Sequence, residues 1–128
     1  MREILFRGKC KTDNEWLYGF PYVTRKNAVK INWYCSEFGS MRTDEVDPET
    51  VGQYTGLTDK NGVRIFEGDI IRFEDDIGYV IYTDDDARFL VDSQNRYIAM
   101  DYSSEFEVIG NIHDNPGLLE GGGCDGII

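Results

Sequence analysis

Apolar and polar residues alternate along most of the chain with the period of two that belongs to half-buried β-strands. The run over residues 29–34 shows it best. Val29, Ile31 and Trp33 fall on one face, and Lys30, Asn32 and Tyr34 on the other. Similar short runs, rich in β-branched and aromatic residues, cover 4–6, 15–20, 51–57, 63–66, 69–73, 78–82, 88–91, 97–100 and 106–112. Turn formers separate them. Asp13-Asn14, Asp59-Lys60-Asn61-Gly62 and Asp84-Asp85-Asp86 read as reversals, and the Asn-Gly pair suits a type I′ hairpin. Pro21 marks the end or edge of a strand, and residues 36–43 read as a turn or loop around Gly39. Asp47-Pro48-Glu49-Thr50 is a helix-start signal that Gly52 cuts to one turn. No helical stripe exceeds two turns.

The pattern therefore predicts a mostly β protein with short helical turns only. An N-terminal antiparallel β region covers 1–56. A C-terminal SH3-like β-barrel covers 57–115, because five or six short strands follow there with a turn every 8–12 residues. Residues 116–128 read as a short turn and a flexible Gly-rich tail.

Charge narrows the partners. Thirteen Lys and Arg face 24 Asp and Glu, for a net charge of −11. Such a surface disfavours general binding to a phosphate backbone, so no nucleic-acid partner is expected. The asymmetry is marked: residues 1–35 hold seven basic and three acidic groups. Opposite signs in two regions favour attraction within or between copies. A small basic face interleaved with Trp16, Tyr18, Tyr22, Trp33 and Tyr34 is the sharper alternative. No apolar run approaches the ~20 residues of a membrane span, and the N-terminus lacks a signal-peptide core. The expected place is the cytoplasm, with no membrane partner.

Candidate chemistry is sparse. Cys10, Cys35 and Cys124 have neither zinc-ribbon spacing nor an even count. The single histidine, His113, has no obvious nucleophile to serve. Asp84-Asp85-Asp86 lacks the spacing of a calcium loop, and Glu67-Gly68-Asp69 is explained by a turn. No cofactor and no metal site are expected, and no catalytic residue is assigned. A carboxylate enzyme is the least favoured of three readings.

Four segments together resemble the YopX family of bacteriophage and prophage proteins. They are Phe6-Arg7-Gly8-Lys9 with Trp16-Leu17-Tyr18-Gly19; the run from Val46 to Leu57; Asp59 to Gly62 with Ile65 to Ile71; and Phe106 to Ile112 with Asn115-Pro116. Asp47, Pro48, Gly52, Tyr54, Gly56, Asn61, Gly62, Gly68 and Asp69 carry the signature, and we read them as structural. The resemblance implies a β-rich protein of unassigned activity that self-assembles in the bacterial host cell. Its partners would be further copies of itself, or a host or phage protein. The alternative is an acidic, DNA-mimicking inhibitor of a host nucleic-acid-binding protein. Asp75, Asp76, Asp84, Asp85 and Asp86 would then present the charge.

Overall fold

The computed structural model describes residues 3–119. The predicted tail over 121–128 and Cys124 lie outside the described residues. The chain divides into two compact units, one ending at Tyr54 and the next starting at Thr55. Both are built from antiparallel β-strands.

The N-terminal unit carries β1 (Phe6–Lys9), β2 (Trp16–Val23), β3 (Val29–Cys35), β4 (Ser40–Val46), a 3-10 turn (Pro48–Thr50) and the first half of β5 (Gly52–Thr58). The sheet runs in the order β4-β3-β2-β1-β5, and within the C-terminal unit the second half of β5 lies beside β6 (Arg64–Phe66). Its core is small: Cys10, Leu17, Ile31 and Val46, with Val29, Trp33 and Val51 packed against them. The alternation read over 29–34 sets this face, because paired residues of antiparallel strands share a side.

Pro21 sits inside β2, opposite Ile31, rather than at its end. The strand tolerates it there because the β1 ladder stops at Gly19, so beyond that point β2 pairs only with β3. Residues 36–43 are not all loop. The reversal closes at Gly39, with φ 64°, and β4 starts at Ser40. Its residues are mostly polar and exposed because it is the outer strand, so it lacks the apolar alternation that betrays a strand. A complete seven-residue ladder to β3 holds it instead.

The C-terminal unit holds β7 (Asp69–Phe73), β8 (Asp76–Thr83), β9 (Arg88–Ser93), β10 (Tyr97–Ala99), a 3-10 stretch (Met100–Glu105) and β11 (Glu107–Asn111). These five strands form a sheet in the order β10-β9-β8-β7-β11. Ile65, Ile71, Phe73, Val80, Val91, Ile98, Met100 and Phe106 form the core. The expected SH3-like barrel is not found, because the sheet is open. Its outer strands, β10 and β11, are joined by the 3-10 stretch and do not pair with each other. With β10 only three residues long, the ladder has no length over which to close.

The Asn61-Gly62 turn also differs from the type I′ form. Only Gly62 has positive φ, at 80°, and the Gly62 N–H donates to the Asp59 carbonyl at 3.0 Å. The turn is built on the Asp59 carboxylate instead, which accepts from the N–H groups of Asn61 and Val63. No helix among the described residues is long and apolar enough to cross a membrane.

Candidate interaction site

The N-terminal sheet presents an exposed aromatic face. Tyr18, Phe20 and Tyr22 alternate along β2, on the side opposite the Leu17 and Ile31 core. Phe20 is paired with Asn32 and Tyr22 with Lys30 on β3, and Tyr34 is paired with Met41 on β4. Exposure is 47% for Tyr18, 53% for Phe20, 43% for Tyr22, 60% for Tyr34 and 58% for Met41. Five large apolar side chains thus stand half in water on one face. At one end, Trp16 carries the Arg7 guanidinium 4.5 Å from its ring centre.

The other side of the same sheet ends in a groove of about 510 Å³. Leu17, Cys10, Cys35 and Trp33 line it, and Phe38 stands on its rim, 65% exposed. The Trp33 indole N–H donates to Asp44 at 2.8 Å, which fixes the ring. Asp13, Glu15, Glu37 and Asp44 give the groove four carboxylates against one guanidinium, that of Arg42, held 5.5 Å from the Phe38 ring centre.

The acidic residues singled out from the sequence do not form one surface. Asp75 is exposed in the β7–β8 turn, and Asp84, Asp85 and Asp86 are exposed in the β8–β9 turn. These turns lie at opposite ends of β8, about 25 Å apart at the usual rise per strand residue. Asp76 faces inward, only 9% exposed. It accepts from Asn95 Nδ2 at 2.7 Å and Arg96 Nε at 2.8 Å. The Asn95 bond chiefly, then Arg96, hold its carboxyl below the ordinary aspartate value, against the opposing effect of desolvation. Asp86 pairs locally with Arg88 at 3.3 Å.

The signature residues serve local geometry. Asp47 caps the 3-10 turn by accepting the Glu49 N–H at 3.1 Å, with Pro48 in the first position. Gly56 and Gly68 have φ of 92° and 89°, in the left-handed region that a Cβ disfavours. Gly52 and Tyr54 are buried in β5, and Asn61 is exposed in its turn. Asp69 is buried and accepts the Phe66 N–H at 2.7 Å, closing the turn between β6 and β7. Two polar residues escaped the sequence reading as anchors. Thr50 bonds the backbone at both Lys9 and Asp47, and Asn111 accepts from His113 and Asp114. Their partners depend on a turn, or lie 41 residues away for Thr50 and Lys9, so no local pattern marks them.

Two small antiparallel β units, stabilised by buried carboxylate and amide anchors, the first carrying an aromatic face, define a β-rich protein whose conspicuous feature is surface. Among the described residues, no group of three or more His, Cys, Asp or Glu is placed to hold a metal ion. The chain belongs to the YopX protein family, whose model matches residues 5–120. It is similar to the crystal structure of protein EF1440 from Enterococcus faecalis, with 26% identity over 93% of this chain and 99% of that one, and a TM-score of 0.61. The comparison with curated proteins finds no match.

Proposed function

We propose that this protein is a non-enzymatic accessory protein of phage or prophage origin, working in the bacterial cytoplasm without a cofactor. It acts by protein–protein contact, first of all with further copies of itself. The observation that carries this reading is the aromatic face of Tyr18, Phe20, Tyr22, Tyr34 and Met41. An aromatic side chain has on the order of 150–250 Å² to bury, so the four half-exposed ones offer roughly 400 Å², and Met41 adds to it. That is within the range for the largest apolar patch on a monomer, about 300–600 Å², where such patches are often functional. Lys30, Asn32 and Thr43 share the face and give the aromatic patch polar neighbours, as the rim of an interface has. Tyr and Phe are also the residues that interfaces concentrate at their centres.

The acidic-mimic reading draws less support. Its five aspartates are divided between the two ends of β8, and Asp76 is committed to Asn95 and Arg96. The test is sedimentation velocity at micromolar concentration. Self-assembly predicts species larger than the 14.7 kDa chain, lost on Phe20→Lys with Tyr34→Lys while the thermal midpoint holds. A 14.7 kDa species for the unaltered protein at all micromolar concentrations would refute the reading.

A further inference from the structure

The N-terminal unit carries two complementary features at opposite ends of one hairpin. At one end, the β2–β3 turn holds Arg25 and Lys26 side by side, both exposed. At the other end, where β2 begins and β3 finishes, lies the groove with its carboxylates and aromatic rings. The eight residues of β2 separate them, about 25 Å at the strand rise.

We infer that the basic β2–β3 tip of one copy inserts into the acidic aromatic groove of the next, forming a head-to-tail contact. This rests on the self-assembly reading and adds a second surface to the aromatic face. Three observations support it. The groove has four carboxylates, on Asp13, Glu15, Glu37 and Asp44, against the one lining guanidinium of Arg42 and the Arg7 and Lys9 cations held on its Trp16 wall, so acidic groups outnumber basic ones four to three and favour an incoming cation. It already holds one guanidinium over an aromatic ring, Arg42 at Phe38, which is the contact an incoming arginine would make with Trp33 or Phe38. Its volume is about 510 Å³, and it is an open groove rather than an enclosed cavity, so a protruding turn can lie in it.

The tip is also preorganised. Thr24 N–H donates to the Ala28 carbonyl at 2.8 Å, Asn27 N–H to the Thr24 carbonyl at 3.0 Å, and Ala28 N–H to Thr24 Oγ1 at 3.1 Å. Asn27 takes the left-handed conformation, φ 66°, which asparagine tolerates better than most residues. A turn held this way loses little freedom on docking. Because each copy carries both tip and groove, every copy is both donor and acceptor. A heterologous contact of this kind closes into a ring or runs on as a filament, according to its rotation.

Charge reversal tests the contact on the full-length chain. One variant carries Arg25→Glu and Lys26→Glu. The other carries Glu15→Lys and Glu37→Lys. All four positions are exposed, and far-ultraviolet circular dichroism checks that each variant folds. Sedimentation velocity at micromolar concentration and low salt should show self-association weakened about tenfold or more in each variant alone. Mixing the two restores it, because an acidic tip meets a basic groove and a basic tip an acidic groove. Moderate salt weakens the unaltered contact by screening. If both variants assemble as the unaltered chain does, or the mixture shows no recovery, the tip-to-groove contact is overturned. If Phe20→Lys with Tyr34→Lys still dissociates the assembly in that case, the self-assembly reading stands. An unaltered chain that remains a monomer overturns both.

Discussion

The Asp59 carboxylate accepts the backbone N–H of Val108 at 2.9 Å, across 49 residues of sequence. Its other oxygen accepts from Asn61 at 2.8 Å and Val63 at 2.9 Å. One side chain thus shapes the turn before β6 and ties it to β11. The adjacent Lys60 N–H adds a bond to the Phe106 carbonyl at 3.0 Å.

Replacing Asp59 should therefore be costly. Asp59→Asn keeps the shape but gives up one acceptor, leaving at least one buried N–H without its partner, at about 1–3 kcal/mol. Asp59→Ala strips all three donors and should destabilise the C-terminal unit by more. Urea denaturation followed by circular dichroism measures both. A loss under about 0.5 kcal/mol for the alanine variant would contradict this role.

Asp59 also sets an acid limb. Burial alone would raise its carboxyl, but the three N–H donors and Lys60 outweigh it and hold it below the ordinary aspartate value. A carboxyl lowered in the folded state binds its proton more readily when unfolded. Its stabilisation is complete above the unfolded value near 3.9 and is lost as pH falls through the lower folded value. Asp76 acts in the same direction. Thermal midpoints should be flat from about pH 7 to 5 on their account and fall below about pH 4. In Asp59→Asn that fall should be shallower, from a lower plateau. An unchanged acid limb would count against the assignment.

The sequence made some of this visible and hid the rest for physical reasons. β3 was legible because one face is core and the other is not, so Val29, Ile31 and Trp33 show the period of two. The Asp47-Pro48 turn was legible because capping is local. β4 was not, because its order comes from pairing with β3 rather than from burying its own side chains. The open C-terminal sheet was not, because strand order depends on which distant edges meet. Asp75 and Asp76 look alike in sequence, yet only Asp76 finds Asn95 and Arg96, about twenty residues on. The aromatic face was legible as residues, but its exposure was not, because Tyr and Phe fill cores as readily as surfaces.

Gly19 gives a sharp packing prediction. It pairs with both Phe6 and Trp33, and a Cβ there would lie 1.9 Å from the Asn32 carbonyl oxygen. Backbone would have to move to admit even one methyl group. Gly19→Ala should cost the N-terminal unit about 1–3 kcal/mol or more by overpacking. Gly117→Ala is the control, since nothing lies within 4 Å of its added Cβ. Equal urea midpoints for the two variants would show that β2 and β3 do not meet as closely as described.

Thr50 offers the last test, and it separates a hydrogen bond from packing. Its Oγ1 accepts the Lys9 N–H at 2.8 Å and donates to the Asp47 carbonyl at 2.6 Å. The residue is 7% exposed, so water does not readily replace either bond. Thr50→Val preserves volume and branching but removes the hydroxyl. The Lys9 N–H then loses this acceptor in a partly buried site, at about 1–3 kcal/mol. Thr50→Ser keeps the oxygen and drops only a methyl group, so it should cost about 1 kcal/mol or less. The serine variant should therefore be the more stable of the two. Hydrogen exchange gives the local readout: the Lys9 amide should lose protection in Thr50→Val and keep most of it in Thr50→Ser. If valine proves the better replacement, packing rather than the bond between β1 and the 3-10 turn accounts for threonine at this position.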